Sequence, residues 1–369
     1  MEGKLRIGIA GAGVLGRLLA WRLSNAGHSV TVFDPATGPD APATGQITAT
    51  LPRAAGFTAA GMLSPLAELD NAGPTIARLG WRSLALWRQT AEALTLQGCT
   101  TPLFVQRGSL MLAHGPDLGA ARRVLARLEA TPALAEALPT PQPLDRSSLN
   151  ALEPAIAPGL HAWLLPDEAQ VMPREMLQAL ARHAPGVWWC WDETVTEVSP
   201  GRIRLADGDE QAFDLAIDTR GLGTRPALPV RGVRGEVMWL HARGLSLQRP
   251  VRLLHPRHRV YIVPRPGDLF VVGASEIESE DRSPVSLRSA VELMAAAHSV
   301  LPELAEARIV HMESNLRPAL PDNEPRTEHA PGLLRINGLF RHGWLLAPAL
   351  VQDALTLTGL ANTEDTPHA

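Results

Sequence analysis

The stretch that most restricts the fold is KLRIGIAGAGVLGRLLAWRLSNAGHSVTVFD, residues 4–34. Residues 4–10 read as a buried strand and 28–34 as a second one. Between them, 13–27 read as a helix with apolar positions at Leu15, Leu18, Leu19 and Leu23. Gly11, Gly13 and Gly16 fall at the strand-to-helix junction in GxGxxG spacing. The first glycine permits the tight turn, the second lets a pyrophosphate approach the backbone, and the third lets helix pack on strand. Val14 and Leu15 then belong to the first helical turn, whose free N–H groups and dipole hold phosphate. Asp34 ends the second strand, where a carboxylate accepts hydrogen bonds from adenosine ribose hydroxyls. Such an opening specifies an α/β fold built around a dinucleotide, and the motif alone does not choose between NAD and FAD.

Further along, 35–56 is crowded with Pro, Gly, Thr and Ala and reads as a long loop. Helical patterns follow at about 75–97, 116–131, 173–184 from Pro173, and 286–300, with short strands near 103–113 and 306–316. From 186 to 275 the texture is β, and VYIVPRPGDLFVVGAS is a hairpin. With 369 residues, two domains are expected. A net charge of −4 gives no global field toward nucleic acid or anionic lipid. Two cysteines, Cys99 and Cys190, are too few for a disulfide framework or a thiolate metal site, and a reducing cytoplasm is the expected compartment. No metal site and no membrane span are expected.

Two more stretches bear on the cofactor. FTAAGMLSPLAELD, residues 57–70, has small residues Ala59, Ala60 and Gly61 against which a flat ring can lie, with polarisable Met62 beside them. RINGLFRHGWLLAP, residues 335–348, brackets a basic turn with glycines just before an apolar helix. Together with PDEAQVMPREML, YIVPRPGDLFVVGAS and NLRPALPDNEP, these pieces run in order through most of the chain. In this the sequence resembles the D-amino-acid oxidase family of FAD oxidoreductases, and within it the bacterial glycine oxidases of thiamine biosynthesis.

The resemblance implies a noncovalent FAD in a Rossmann-like, glutathione-reductase-like domain. That domain is expected to be discontinuous, from 1–75, 150–229 and 317–369, with an antiparallel substrate domain from 76–149 and 230–316. In the family the equivalents of Gly343, Trp344 and Leu345 open the last helix toward the flavin N1–C2=O edge, with Arg341 and His342 just ahead of it. A helix N-terminus and a nearby cation there favour the reduced flavin. The equivalent of Val195 meets the adenine with its backbone, and the turn containing Gly221 lies close to FAD.

Arg317 matches the family arginine that grips the substrate carboxylate, and Tyr261, the chain's single tyrosine, stands at a substrate-contacting position. Arg259 and Glu276 stand where a glycine oxidase of the family has histidine and methionine. If the hairpin turn is Arg265 to Asp268, Pro264 pairs with Leu269, which sets Arg259 opposite Ala274 and makes Glu276 its diagonal neighbour, an ion pair beside the pocket. The implied activity is oxidation of glycine to the imine, with oxygen reduced to peroxide and the imine hydrolysed or passed to thiazole synthesis. Sarcosine and D-amino acids remain open as substrates, and a homo-oligomer is expected. Readings from other classes are an FAD module acting on modified tRNA, supported by the basic run 252–265, and a flavoprotein without turnover.

Overall fold

The computed structural model describes residues 3–40, 53–255 and 259–361, with Arg259 described by its backbone alone. The middle of the 35–56 loop lies outside the described residues, and its end forms a short 3-10 turn at Ala55–Phe57.

β1 (Arg6–Ala10), α1 (Val14–Asn25) and β2 (Ser29–Asp34) form the βαβ unit. β1 and β2 pair in parallel from Arg6 with Ser29 to Ala10 with Phe33. Parallel strands are covered on both faces, which is why they read as unbroken apolar runs. Trp188–Trp191, Leu215–Asp218, Arg326–Ala330 and Leu333–Asn337 complete a six-stranded sheet. Its neighbours are parallel except for the edge hairpin of Arg326–Ala330 with Leu333–Asn337.

The elements that shape the cavity beside this sheet are spread along the chain. They are β3 (Met62–Leu63), α2 (Pro65–Glu68), α3 (Pro74–Leu96), β4 (Ser109–Ala113), β5 (Ala169–Val171), β6 (Arg231–His241), β7 (Val251–Leu254), β8 (Arg259–Arg265), β9 (Leu269–Gly273), β10 (Arg308–Ala319) and α4 (Gly343–Leu357). An eight-stranded sheet runs β10-β6-β9-β8-β7-β4 and then two further strands, Ala113's neighbour His161–Leu165 and the edge Gln142–Leu144. It is antiparallel except where β7 meets β4. Helix Leu287–Val300 covers one face through Leu293 and Ala297; the other face borders the cavity.

The largest apolar cluster packs α1, α3, α4 and helix Pro173–Arg182 around the first sheet. Pro348 lies inside α4 and has no N–H to offer the carbonyl of Trp344 one turn earlier. The indole N–H of fully buried Trp87 donates to that carbonyl instead, at 2.7 Å. A helix defect is thereby turned into a tie between α3 and α4.

One expectation is corrected. Arg265 pairs with Leu269 and Pro264 with Phe270, so the hairpin turn is the three residues Pro266–Asp268, with Gly267 and Asp268 at positive φ. Shifting a register by one residue moves every side chain to the opposite face. Tyr261, not its neighbour, therefore lies opposite Gly273. In this register Arg259 is not opposite Ala274, and Glu276 lies beyond the end of β9, so the expected cross-strand pairing does not hold; the side chain of Arg259 lies outside the described residues.

In the glycine turn, Gly11 has φ +98°, and a Cβ on Gly16 would run into the Gly11 carbonyl oxygen. Since that atom is fixed backbone, Gly16→Ala is expected to destabilise the protein by roughly 2 kcal/mol or more, read as a lowered Tm and FAD lost on gel filtration.

Candidate active site

A cavity of about 510 Å³ runs between the two sheets. Apart from Arg259, whose side chain lies outside the described residues, every site residue read from the sequence lines it except Gly16, which packs behind the turn. At one end, the Asp34 carboxylate accepts the N–H groups of Ala12 (2.6 Å) and Ala36 (2.9 Å), which fixes the glycine turn to the end of β2. A Cβ on Gly13 would meet only Ala54, at 3.7 Å, so the space above that glycine belongs to the cavity and not to packing. Arg220 pairs with buried Asp218 at 2.8 Å and donates to the Val195 carbonyl at 2.9 Å. Asn337 donates to the Gly221 carbonyl at 2.9 Å. These two side chains hold Val195 and Gly221 in the wall.

Along the middle, Ala59, Ala60, Gly61 and Met62 lie together. The guanidinium of Arg265 bonds the Ala60 carbonyl and the Gln170 side chain (2.8 Å), and burial pushes its pKa down to about 10. α4 begins at Gly343, where a Cβ would meet nothing within 4 Å, so its first turn, with Trp344 and Leu345, opens on the cavity.

The far end is one face of the eight-stranded sheet. Val237, Gly273, Tyr261 and Arg252 stand side by side across β6, β9, β8 and β7, and Gly235 and Arg317 lie on the same face two and four positions along. A Cβ on Gly235 would overlap the guanidinium of Arg317, and one on Gly273 would come within 2.5 Å of the Tyr261 hydroxyl oxygen. Two glycines thus make room for the two polar side chains. Arg317 donates to the carbonyls of Ser275 (3.0 Å) and Arg234 (3.5 Å). Burial pushes the Tyr261 hydroxyl pKa up, against the lowering effect of Arg317, Arg252 and Arg265, so the phenol is neutral.

A buried charge cluster joins Arg341 and His342, both read from the sequence, to Glu68 and Arg252, whose pairing the sequence reading did not single out. Glu68 of α2 accepts from Arg341 (2.5 Å), Arg252 (3.2 Å) and the His342 ring (3.0 Å). Burial alone would raise its pKa; Arg341, Arg252 and His342 outweigh that and hold it well below the ordinary carboxylate value. The charge of Arg341, expected at the flavin edge, is therefore largely offset by Glu68, with Glu276 a further 3.9 Å away. Glu68 lies inside the quoted small-residue stretch, and Arg252 interrupts the apolar run VRLL, which is the only trace either leaves in the sequence. Behind the wall, Glu168 is fully buried and accepts from the hydroxyls of Ser64 and Ser109 and from the Leu66 N–H (3.0 Å). Burial, only partly offset by these bonds and by Arg252, pushes it up to about 7.

A glycine turn that leaves room for phosphates at one end, a second open helix start further on and small residues between them fit an elongated flavin dinucleotide, and the site is that of a flavin-dependent oxidoreductase. The chain belongs to the DAO family of FAD dependent oxidoreductases, whose model matches residues 6–353. A Rhizobium etli protein, named as a candidate thiamine biosynthesis oxidoreductase, ThiO, is 38% identical over 348 residues, 94% of each chain. The glycine oxidase of Geobacillus kaustophilus is 26% identical over 377 residues, covering 94% of this chain and 91% of that one. The crystal structure of glycine oxidase from that organism superposes with a TM-score of 0.80 at 25% identity over 98% of this chain and 99% of that one. The cofactor is FAD, and the expected fold class is the observed one. Among the described residues no helix is long and apolar enough to cross a membrane.

Glu168 makes stability depend on pH. Its folded pKa, about 7, lies above the unfolded value of about 4.5. Its contribution is therefore fully present below about pH 4.5 and is lost as pH rises through about 7. Relative to Glu168→Gln, the wild type is expected to lose on the order of 3 kcal/mol between pH 5 and pH 8, measured by denaturant unfolding at each pH.

Proposed function

We propose that this protein is an FAD-dependent oxidase of a small amino acid, with glycine the leading substrate and sarcosine and D-alanine its competitors. The observation that carries the reading is Arg317, seated over Gly235 on the sheet face that also bears Tyr261. A planar guanidinium there can grip a carboxylate through two parallel hydrogen bonds. The neutral Tyr261 hydroxyl beside it can donate a third.

Arg317, Tyr261 and Gly235 would fix the substrate by its carboxylate and hold Cα toward the cavity centre, so that positioning supplies most of the rate. FAD, when bound there, would supply the two-electron oxidant for the Cα–H, with oxygen as the final acceptor and hydrogen peroxide as its product. The amine leaves as an imine after loss of one proton and hydrolyses to the oxo acid and ammonia. Arg341 is paired with both Glu68 and Glu276, which leaves no uncompensated positive charge at that wall for an acidic substrate side chain. In this reading the same three residues, which line the cavity, also bound the space beyond Cα, and glycine suits both restrictions.

The backbone around Gly11, Gly13, Val14, Leu15 and Asp34 would take the pyrophosphate and ribose, Val195 and Gly221 the adenosine side, and Ala59 to Met62 with His342 to Leu345 the ring. In this reading the discontinuous chain segments 1–75, 150–229 and 317–369 form the FAD domain. Hand-over of the imine to thiazole synthesis is part of the same proposal, supported by the name of the Rhizobium etli relative. A cytoplasmic homo-oligomer is its expected setting.

The test is anaerobic reduction of the purified holoenzyme by glycine, sarcosine, D-alanine and D-proline, followed by air. Bleaching of the flavin absorbance fastest with glycine, and peroxide on reoxidation, is expected; no bleaching by any of them would overturn the reading. Gly235→Ala is expected to displace the Arg317 guanidinium and raise the KM for the amino acid about tenfold or more, while acetate loses affinity in parallel. Arg317→Met should remove acetate binding altogether while FAD stays bound.

A further inference from the structure

Ser64 stands in the cavity wall between β3 and α2, four residues ahead of Glu68, whose N–H bonds its carbonyl at 3.3 Å. Behind it lies Glu168, fully buried and outside the cavity lining. The two oxygens of Glu168 divide their work. One accepts the Leu66 N–H at 3.0 Å, and the other accepts the hydroxyl hydrogens of both Ser64 and Ser109. A hydroxyl has one hydrogen to give and two lone pairs to offer. With its hydrogen committed to Glu168, Ser64 has only lone pairs left for anything in the cavity. We propose that Ser64 is the hydrogen-bond acceptor for the N–H of the substrate amine, its polarity fixed from behind by Glu168.

The polarity matters for the chemistry. Oxidation to an imine draws the nitrogen lone pair into the new C=N bond, so a donor hydrogen-bonded to that lone pair would oppose the reaction. An acceptor takes an N–H and leaves the lone pair free, which turns it toward Cα. Arg317 and Tyr261 on the facing sheet hold the carboxylate, and Ser64 on the α2 side gives the second point that orients the molecule. Glu168 is ionised above about pH 7, the range in which more of the substrate amine is neutral, so the two conditions coincide. Arg252 is the cation that acts on Glu168 from β7. This rests on the amino-acid oxidase reading.

The experiment compares wild type, Ser64→Ala and Glu168→Gln as holoenzymes at pH 8, by stopped-flow anaerobic reduction with glycine and by absorbance titration with acetate, which has the carboxylate and no N–H. Ser64→Ala is expected to weaken the glycine Kd about tenfold and leave the acetate Kd unchanged. In Glu168→Gln the amide oxygen can keep the Leu66 bond while its NH₂ donates to Ser64 and Ser109, which turns their hydrogens outward. That variant is expected to lose about tenfold in reduction rate although Ser64 is retained. Adding Ser64→Ala to it should bring no further loss. Equal loss for glycine and acetate in Ser64→Ala would show a packing role and overturn the inference, as would an unchanged glycine Kd. A wild type reduced by no amino acid would overturn the amino-acid reading itself, and this inference with it.

Discussion

Glu68 joins the eight-stranded sheet to the turn that leads from the six-stranded sheet into α4. It sits on α2, just after the small residues along the cavity, and binds Arg252 from the eight-stranded sheet and Arg341 and His342 from the turn before α4. Taking these charges out of water is costly, and only close pairing compensates for it. Each partner is therefore held in place by the others, and a shift of either sheet would leave a buried charge without its counterion. The turn before α4, and with it the start of that helix, is anchored by this contact. The tie between Trp87 and the carbonyl left open by Pro348 then fixes the other end of that helix turn to α3.

The nucleotide half of the fold was legible because its constraints are local. Strand, glycine turn and helix follow one another within 31 residues, and Gly16 is demanded by the Gly11 carbonyl five positions before it. Helix Pro173–Arg182 was placed from its own Pro173, and Pro74–Leu96 from its apolar period. The far end was legible only in part. Arg317 and Tyr261 were found through a family resemblance, whereas Gly235 and Gly273, which make space for them, carry no local signature because their reason lies on other strands. Glu68 and Arg252 are 184 positions apart, and no spacing rule joins them. The hairpin register failed for a physical reason: PRPGD suits a two-residue or a three-residue turn, and the choice depends on Asp268 accepting a positive φ.

That one-residue difference decides the site. With Arg265 opposite Leu269, Tyr261 shares a face with Gly273, Val237 and Arg252. With the register slipped, the tyrosine would lie opposite Val272, a fully buried residue whose side chain packs under helix Leu287–Val300. Glycine at 273 would then have no large neighbour to accommodate. The placement of glycines opposite the polar side chains is thus evidence, internal to the chain, that its strands specify one register.

Arginine is the cation of this chain on the surface and in the interior alike, and burial makes that consequential around the cavity. Lys4, near the start of the chain, is the only lysine, so every basic side chain described around the cavity is arginine or histidine. A buried ammonium readily loses its proton near neutral pH, whereas a guanidinium starts so high that burial leaves it charged. Arg17, Arg53 and Arg265 are each pushed down only to about 10. Arginine therefore keeps the positive side of the cavity constant across the working range of pH, and proton uptake is left to a carboxyl with no cation in direct contact. Glu168 is that group, and its bonds to two hydroxyls mean that gaining a proton changes the direction of hydrogen bonds in the wall. A fixed positive charge can hold a carboxylate in place; an orientable hydroxyl, set by a titratable neighbour, can accept an N–H and leave the lone pair of a neutral amine free.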